Sequence, residues 1–240
     1  MTTGAAPNAI VGFDTATDDT AVCALRDGEP VHEALIPAPR GGRPLHASAL
    51  LPEVERAAEA IGGWEHVQLI AAGTGPGSFT GLRIGISTAK ALAAALELPA
   101  AGVSTLDALA RAMSERTDAE HVPVLDARRG EVFAALFANG ERLWGPLVCG
   151  PADLAARLQE RPVPVLAAGS GAVRFRDELA GGGVEIPEDS DPVHRIAARH
   201  ICVLGAAVAG RETGSLDPIY LRSPDAERWR ERDSADRTGI

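Results

Sequence analysis

The chain has a single lysine, Lys90, so nearly all of its 23 basic side chains are arginine, and 33 carboxylates outnumber them to leave a formal net charge of −10. Phosphate backbones are gripped by clustered Lys and Arg, so a chain of this charge does not hold nucleic acid alone. Any nucleic-acid role has to be shared with a partner. Cysteine is also scarce: Cys23, Cys149 and Cys202 are odd in number, far apart and outside any metal-ligand spacing. That pattern excludes a disulfide framework and fits small core residues in a reducing compartment. The histidines His32, His46, His66, His121, His194 and His200 form neither HxxxH nor HExxH, so no metal is expected in this chain alone. No GxSxG nucleophile elbow is present, and Cys23 has no assignable base. The opening MTTGAAPNA has no basic n-region, and the longest apolar run near the C-terminus, residues 201–209, is too short to span a bilayer. The expectation is a soluble, cytoplasmic protein that makes no membrane contact.

What the sequence does contain is a repeat. AIVGFDTATDDTAVCALRDGEPVHEALI, residues 9–36, is answered by HVPVLDARRGEVFAALFANGERLWGPLV, residues 121–148. Each reads as three strands, the first ending in an aspartate, Asp14 or Asp126, and the last two joined by a hairpin dipeptide, Asp27-Gly28 or Asn139-Gly140. Such dipeptides suit a type I′ turn, in which both residues need positive φ. A helix follows in each half, residues 46–61 and 152–160. Then comes a second echo, VQLIAAGTG at 67–75 against VPVLAAGSG at 163–171. Two echoes in the same order indicate a duplicated unit of three strands, helix, strand, helix. The expected fold is α/β and duplicated, with two lobes that each carry a mixed five-stranded sheet and flanking helices, as in the actin, Hsp70 and sugar-kinase superfamily. We place the N-terminal lobe at residues 1–106 and the C-terminal lobe at 107–222. After Gly171 the copies diverge into a short helix at 172–179 and a longer one at 192–211 that packs back on the first lobe. The charged, aperiodic tail 223–240 reads as disordered.

One stretch belongs to the first copy alone: GTGPGSFTGLRIGISTAKALAAALEL, residues 73–98. It is not a P-loop, because no Gly-Lys-Ser/Thr follows at the required spacing, nor a dinucleotide fingerprint, because Gly75, Gly77 and Gly81 give GxGxxxG. Ser78 can cap a helix running to residue 96. Gly77, Gly81, Gly85, Ala89 and Ala93 recur every fourth residue, a ridge of small side chains that admits close approach of another element, with Leu82 on its apolar flank. Glycine inside a helix costs about 1 kcal/mol against alanine, so the ridge needs a packing reason. On spacing alone that reason is either the chain's own sheet and neighbouring helix or a partner. Because the helix has no counterpart in the second copy, we expect it to carry a partner.

These segments also resemble a known family. GPGSFTGLRIG at 75–85, LPAAGVSTLDALA at 98–110, DARRGEVF at 126–133, FDTAT at 13–17, HASALLP at 46–52 and PIYLR at 218–222 are together similar to TsaB (YeaZ) proteins, over most of the chain. The resemblance implies an actin-like, two-lobed subunit without independent catalysis, needed to make threonylcarbamoyladenosine on tRNA. It implies a homodimer when alone and a heterodimer with the catalytic paralogue TsaD. TsaE joins that complex and TsaC supplies the threonylcarbamoyl-adenylate. Carried onto this chain, the interface helices are 46–61 and 78–96, with His46, Leu50, Leu51, Gly77, Ser78, Gly81, Leu82, Gly85, Ala89 and Ala93 as contact residues. Ala47 and Phe133 depart from the family's usual Ser or Thr and Tyr.

Weighed against this reading are an ATPase or kinase of the same fold and a glycopeptidase-like metallohydrolase. Asp14, Thr15 and Thr17 stand where the first phosphate hairpin of the superfamily lies, and Arg83 and Arg128 are candidate phosphate or carboxylate ligands. The second hairpin, Asp126-Ala127-Arg128-Arg129, lacks the Gly and Thr donors of a working kinase. No cofactor is expected in this chain alone, and ATP or ADP with Mg²⁺ is expected only at a complex interface.

Overall fold

Two runs of buried β-branched and small apolar residues start the two halves of the chain, and each becomes the centre of a sheet. In the computed structural model, which describes residues 7–116, 119–180, 183–209 and 214–221, β1 (Ala9–Asp14) is buried along its whole length. β2 (Thr20–Arg26) and β3 (Glu29–Ile36) follow as antiparallel neighbours. β4 (Leu69–Gly75) lies parallel to β1 on its other side, and β5 (Ala100–Ser104) lies parallel to β4. The order is β3-β2-β1-β4-β5.

The second half repeats that topology. β6 (Glu120–Arg128) pairs antiparallel with β7 (Glu131–Ala138) and parallel with β9 (Val165–Ala168), while β8 (Glu141–Cys149) and β10 (Val184–Glu185) form the edges, in the order β10-β9-β6-β7-β8. Central strands covered on both faces carry continuous apolar runs, whereas β3 and β8 show half-exposed patterns that fit edges. Both hairpin dipeptides take positive φ at both positions, 53° and 88° at Asp27 and Gly28, 51° and 77° at Asn139 and Gly140. The two mixed five-stranded sheets read from the sequence are therefore present.

The helices cover the sheet faces. α1 (His46–Ile61) buries Leu50, Val54, Ala57, Ala58 and Ile61 on the first sheet. α2 (Phe79–Leu96) lies beside it, with Ser78 as N-cap accepting from the Gly81 amide. α3 (Thr105–Ser114) links the two sheets. α4 (Pro151–Gln159) takes the position in the second copy that α1 takes in the first. One continuous core joins Ile10, Cys23 and Leu69 of the first sheet to Leu125 and Phe133 of the second through α3.

Two helices differ from the expectation. The helix read at 172–179 is two short pieces, α5 (Ser170–Arg174) and α6 (Arg176–Leu179), broken where Phe175 leaves helical geometry at φ −113° and ψ 33°. The helix read at 192–211 is a 3-10 turn at Pro192–His194, an extended link with Arg195 at ψ 153° and Ala197 at ψ 116°, and then α7 (Ala198–Val208). Residues 210–213 at its expected end, Arg222 and the tail 223–240 lie outside the described residues. α7 crosses the first sheet, with Cys202 beside Gly12 and Gly205 beside Ala71. Of the cysteines expected in the core, Cys23 and Cys202 are buried and Cys149 is only half-buried. Among the described residues no helix is long and apolar enough to cross a membrane.

Candidate functional site

The turn between β1 and β2 is where the superfamily pattern would put phosphate ligands, and here its first two residues face inward. Asp14 is buried at the end of β1; its Oδ1 accepts from the Ala16 amide at 2.7 Å and its Oδ2 from the Thr105 hydroxyl at 2.7 Å. Burial pushes its pKa above the usual carboxylate value, against the lowering effect of those two donors. Thr15 is buried as well, and its hydroxyl donates to the Gly81 carbonyl at 2.8 Å. Asp14 and Thr15 thus fasten the turn to α3 and α2.

The ridge of small residues on α2 receives this same turn. A Cβ on Gly77 would collide with the Ala16 carbonyl, one on Gly81 with the Thr15 carbonyl and one on Gly85 with the Thr15 hydroxyl. The Ser78 amide donates to the Ala16 carbonyl at 2.7 Å, closing the contact. From the other side His46, at the start of α1, is buried; its Nδ1 lies 2.8 Å from the Thr20 hydroxyl and its Nε2 donates to the Thr17 carbonyl at 3.1 Å. Desolvation lowers its pKa, which favours this neutral ring. The packing reason for the glycines is internal. His46, Leu50, Gly81, Leu82, Gly85 and Ala89 are all buried within the chain, Gly77 and Ala93 are half-buried, and only Leu51 and Ser78 of the expected contact residues are exposed. The helices were legible; the face was not, because small-residue spacing cannot distinguish a partner from a turn of the same chain. A leucine at Gly81 or Gly85 would have to displace the turn.

Between the lobes lies a cavity of about 1320 Å³ whose walls include Thr17, Arg83 and Arg128. It brings these three predicted residues to one space. Arg128 reaches across the lobes to Asp18 Oδ1 at 2.5 Å, and Arg195 pairs with Asp19 at 3.2 Å. Hydrogen bonding to Asp18 raises the already high Arg128 pKa. Arg128 and Arg129 both adopt left-handed backbone, φ 63° and 57°, with the Arg128 amide held by Asp126 Oδ1 at 2.8 Å. Asp126 also takes Arg174 at 2.7 Å. Asp18, Asp19, Asp126, Asp189 and Asp191 all line this space. Arg83, Arg128, Arg129 and Arg195 line the same space, so a polyphosphate entering it would meet five carboxylates interleaved with four guanidiniums, of which Arg128 and Arg195 are already paired with Asp18 and Asp19. Among the described residues, no three His, Cys, Asp or Glu side chains come together to hold a metal ion.

The cavity's rim also carries Phe79 and Tyr220, side by side. Sequence reasoning quoted both, within SFTG and PIYLR, and weighed neither; their pairing joins segments far apart in the chain.

The family model described as tRNA N6-adenosine threonylcarbamoyltransferase, TsaD, matches residues 38–176. The chain is 32% identical to the tRNA threonylcarbamoyladenosine biosynthesis protein TsaB of Escherichia coli, over 89% of this chain and 94% of that one. Among solved structures, YeaZ from Pseudomonas aeruginosa superposes with a TM-score of 0.72 at 28% identity, covering 89% of this chain and all of the other. A ROK hexokinase from Thermus thermophilus, at TM-score 0.50 and 14% identity over 82% of this chain and 99% of its own, shares the fold alone.

Proposed function

The chain belongs to the TsaB (YeaZ) family, and on that premise we propose that it acts in threonylcarbamoyladenosine biosynthesis on tRNA as a subunit without a catalytic centre of its own, dimerising with a TsaD-type transferase. The observation that carries this reading is the nearly end-to-end match to a protein named for that pathway. The internal use of Asp14 and Thr15, and the carboxylate-lined cavity, agree with a subunit that leaves chemistry to its partner.

The docking surface we assign is the outer flank of α1 and α2. Ala47, Ser48 and Leu51 of α1 are exposed there, with Leu51 at 54%, as are Ser87, Ala91 and Ala95 of α2. Small side chains on adjacent helices let a partner's helices approach closely, and an exposed leucine supplies the apolar anchor. TsaE joins the assembled pair, tRNA is gripped through the partners, and without TsaD a second copy of the chain takes the same flank as a homodimer. Any ATP or ADP with Mg²⁺ belongs to the complex interface.

The test is reconstitution with a TsaD homologue, measuring threonylcarbamoyl transfer to unmodified tRNA with and without this chain. The proposal expects transfer to depend on both proteins and neither alone to suffice. Mg²⁺-dependent ATP hydrolysis by this chain alone, with no effect on transfer, would favour the kinase-like reading instead.

A further inference from the structure

Aromatic side chains are few here, five Phe, three Trp and one Tyr. Among the described residues the two exposed rings are Phe79, 41% exposed, and Tyr220, 44% exposed, and they are neighbours, 5.3 Å between centroids at an interplanar angle of 37°. Separate segments bring them together. Phe79 opens α2, while Tyr220 sits on the extended stretch 215–221, anchored where the Ile219 amide donates to the Thr74 carbonyl at 2.8 Å and where Leu216 packs on Ala16, Leu82 and Ile86. One helical turn beyond Phe79, the Arg83 guanidinium lies 3.9 Å from the centre of its ring. Among the described residues no carboxylate pairs with Arg83.

Two exposed aromatic rings, with a guanidinium over one of them that has no carboxylate partner among the described residues, form a surface suited to a planar ring carrying negative charge nearby. Nucleobases in a phosphodiester chain have that chemistry, and stacking on aromatic and Arg planes is how unpaired bases are held. We propose that Phe79, Tyr220 and Arg83 form a platform on which one unpaired base of a single-stranded RNA segment stacks, at the rim of the interlobe cavity. This rests on the proposed role in tRNA modification. A free nucleotide fits less well, because small-ligand sites bury 70–90% or more of their ligand, about the opposite of an open shelf. The Arg83 guanidinium, held over the Phe79 ring, stands beside the stacked base where its flanking phosphate would pair with it. With a net charge of −10 the chain alone holds such a strand only weakly, through the stacked base and at low salt, while partners hold the backbone.

The test uses the full chain at low ionic strength and fluorescein-labelled single-stranded oligoadenylate, read by anisotropy, with AMP as competitor. Saturable binding is expected, weakened on the order of tenfold by Phe79→Leu or Tyr220→Leu and retained by Phe79→Trp. Thermal melts of the same variants separate lost stacking from lost fold. The proposal is overturned if the wild-type chain shows no saturable binding up to about 1 mM oligoadenylate, or if folded Leu variants bind as the wild type does. It is also overturned if AMP binds as tightly as the oligomer, which would mark a mononucleotide pocket. Co-assembly with a TsaD homologue is measured separately by gel filtration and should survive both Leu substitutions, so failure of the platform and failure of the complex are distinguishable.

Discussion

Replacing Gly81 with alanine isolates the contact on which the arrangement of α2 depends. The change gains about 1 kcal/mol of helix propensity. Against that, the new Cβ falls on the carbonyl oxygen of Thr15, a backbone atom at the end of a buried strand that cannot rotate away. Moving α2 or the turn also strains the Thr15 hydroxyl bond to the Gly81 carbonyl, worth about 1 kcal/mol, on top of an overpacking cost of about 1–3 kcal/mol. The net expectation is destabilisation of about 1–3 kcal/mol, a fall in Tm of roughly 3–10 °C for a chain of this size. At Gly85 the new Cβ meets the Thr15 hydroxyl, a side-chain atom that can turn aside at the expense of one hydrogen bond. The propensity gain offsets that loss, so Gly85→Ala should stay within about 1 kcal/mol of the wild type. Thermal and urea unfolding of both variants read the difference. Gly81→Ala at or above the wild-type Tm, or Gly85→Ala as the more damaging change, would refute the internal reading of the ridge.

His200 gives a pH signature. It is buried, its Nε2 has no hydrogen-bond partner among the described residues, and its Nδ1 stands 3.8 Å from Glu115; burial first and Arg199 second, with Arg111 adding to them against Glu115 and Glu33, lower its pKa to about 4. The unfolded chain takes up this proton near pH 6.5 and the folded chain only near 4, so the stability it contributes is present above about 6.5 and is lost as pH falls towards 4, by up to about 3 kcal/mol. His200→Leu should flatten that part of the stability profile, and an unchanged profile would refute the assignment. Thr105→Val removes a donor from the buried Asp14 carboxylate and should cost about 1.5–3 kcal/mol at neutral pH. Because the Asp14 pKa is already raised, the folded state binds its proton more readily than the unfolded one, and its contribution to stability falls as pH rises through that window. The penalty of Thr105→Val should therefore shrink as pH falls from neutral, and a penalty that stays constant down to the acid unfolding limit would contradict this placement of Asp14.

Much of the architecture was legible because it was written twice. The aspartate ending each first strand, the Asp27-Gly28 and Asn139-Gly140 turns and the two AAG strands mark corresponding elements in both sheets. Helical breaks were less legible. Nothing in the apolar pattern around Phe175 marks its departure from helical geometry, and Pro192 opened a 3-10 turn where its position also suited a longer helix. The site was legible as segments and not as contacts. The four-residue spacing in α2 announced a close approach, yet its occupant, the Thr15–Ala16 backbone, comes from the turn after β1, 66 residues before Gly81 in the chain. Tyr220 lies on a stretch without periodicity, held by one backbone bond to Thr74, and no local pattern pairs it with Phe79.

On the proposed function, the outer flank of α1 and α2, opposite the buried glycines, receives a TsaD-type partner. Gel filtration of this chain with a TsaD homologue tests it most directly, using Leu51→Arg and Ala91→Arg on that flank and Leu143→Arg on the exposed edge strand β8 as the control. The account predicts a complex that survives Leu143→Arg and is lost with either flank substitution while each variant remains folded. Co-elution of both folded flank variants with the partner, as for the wild type, would contradict it.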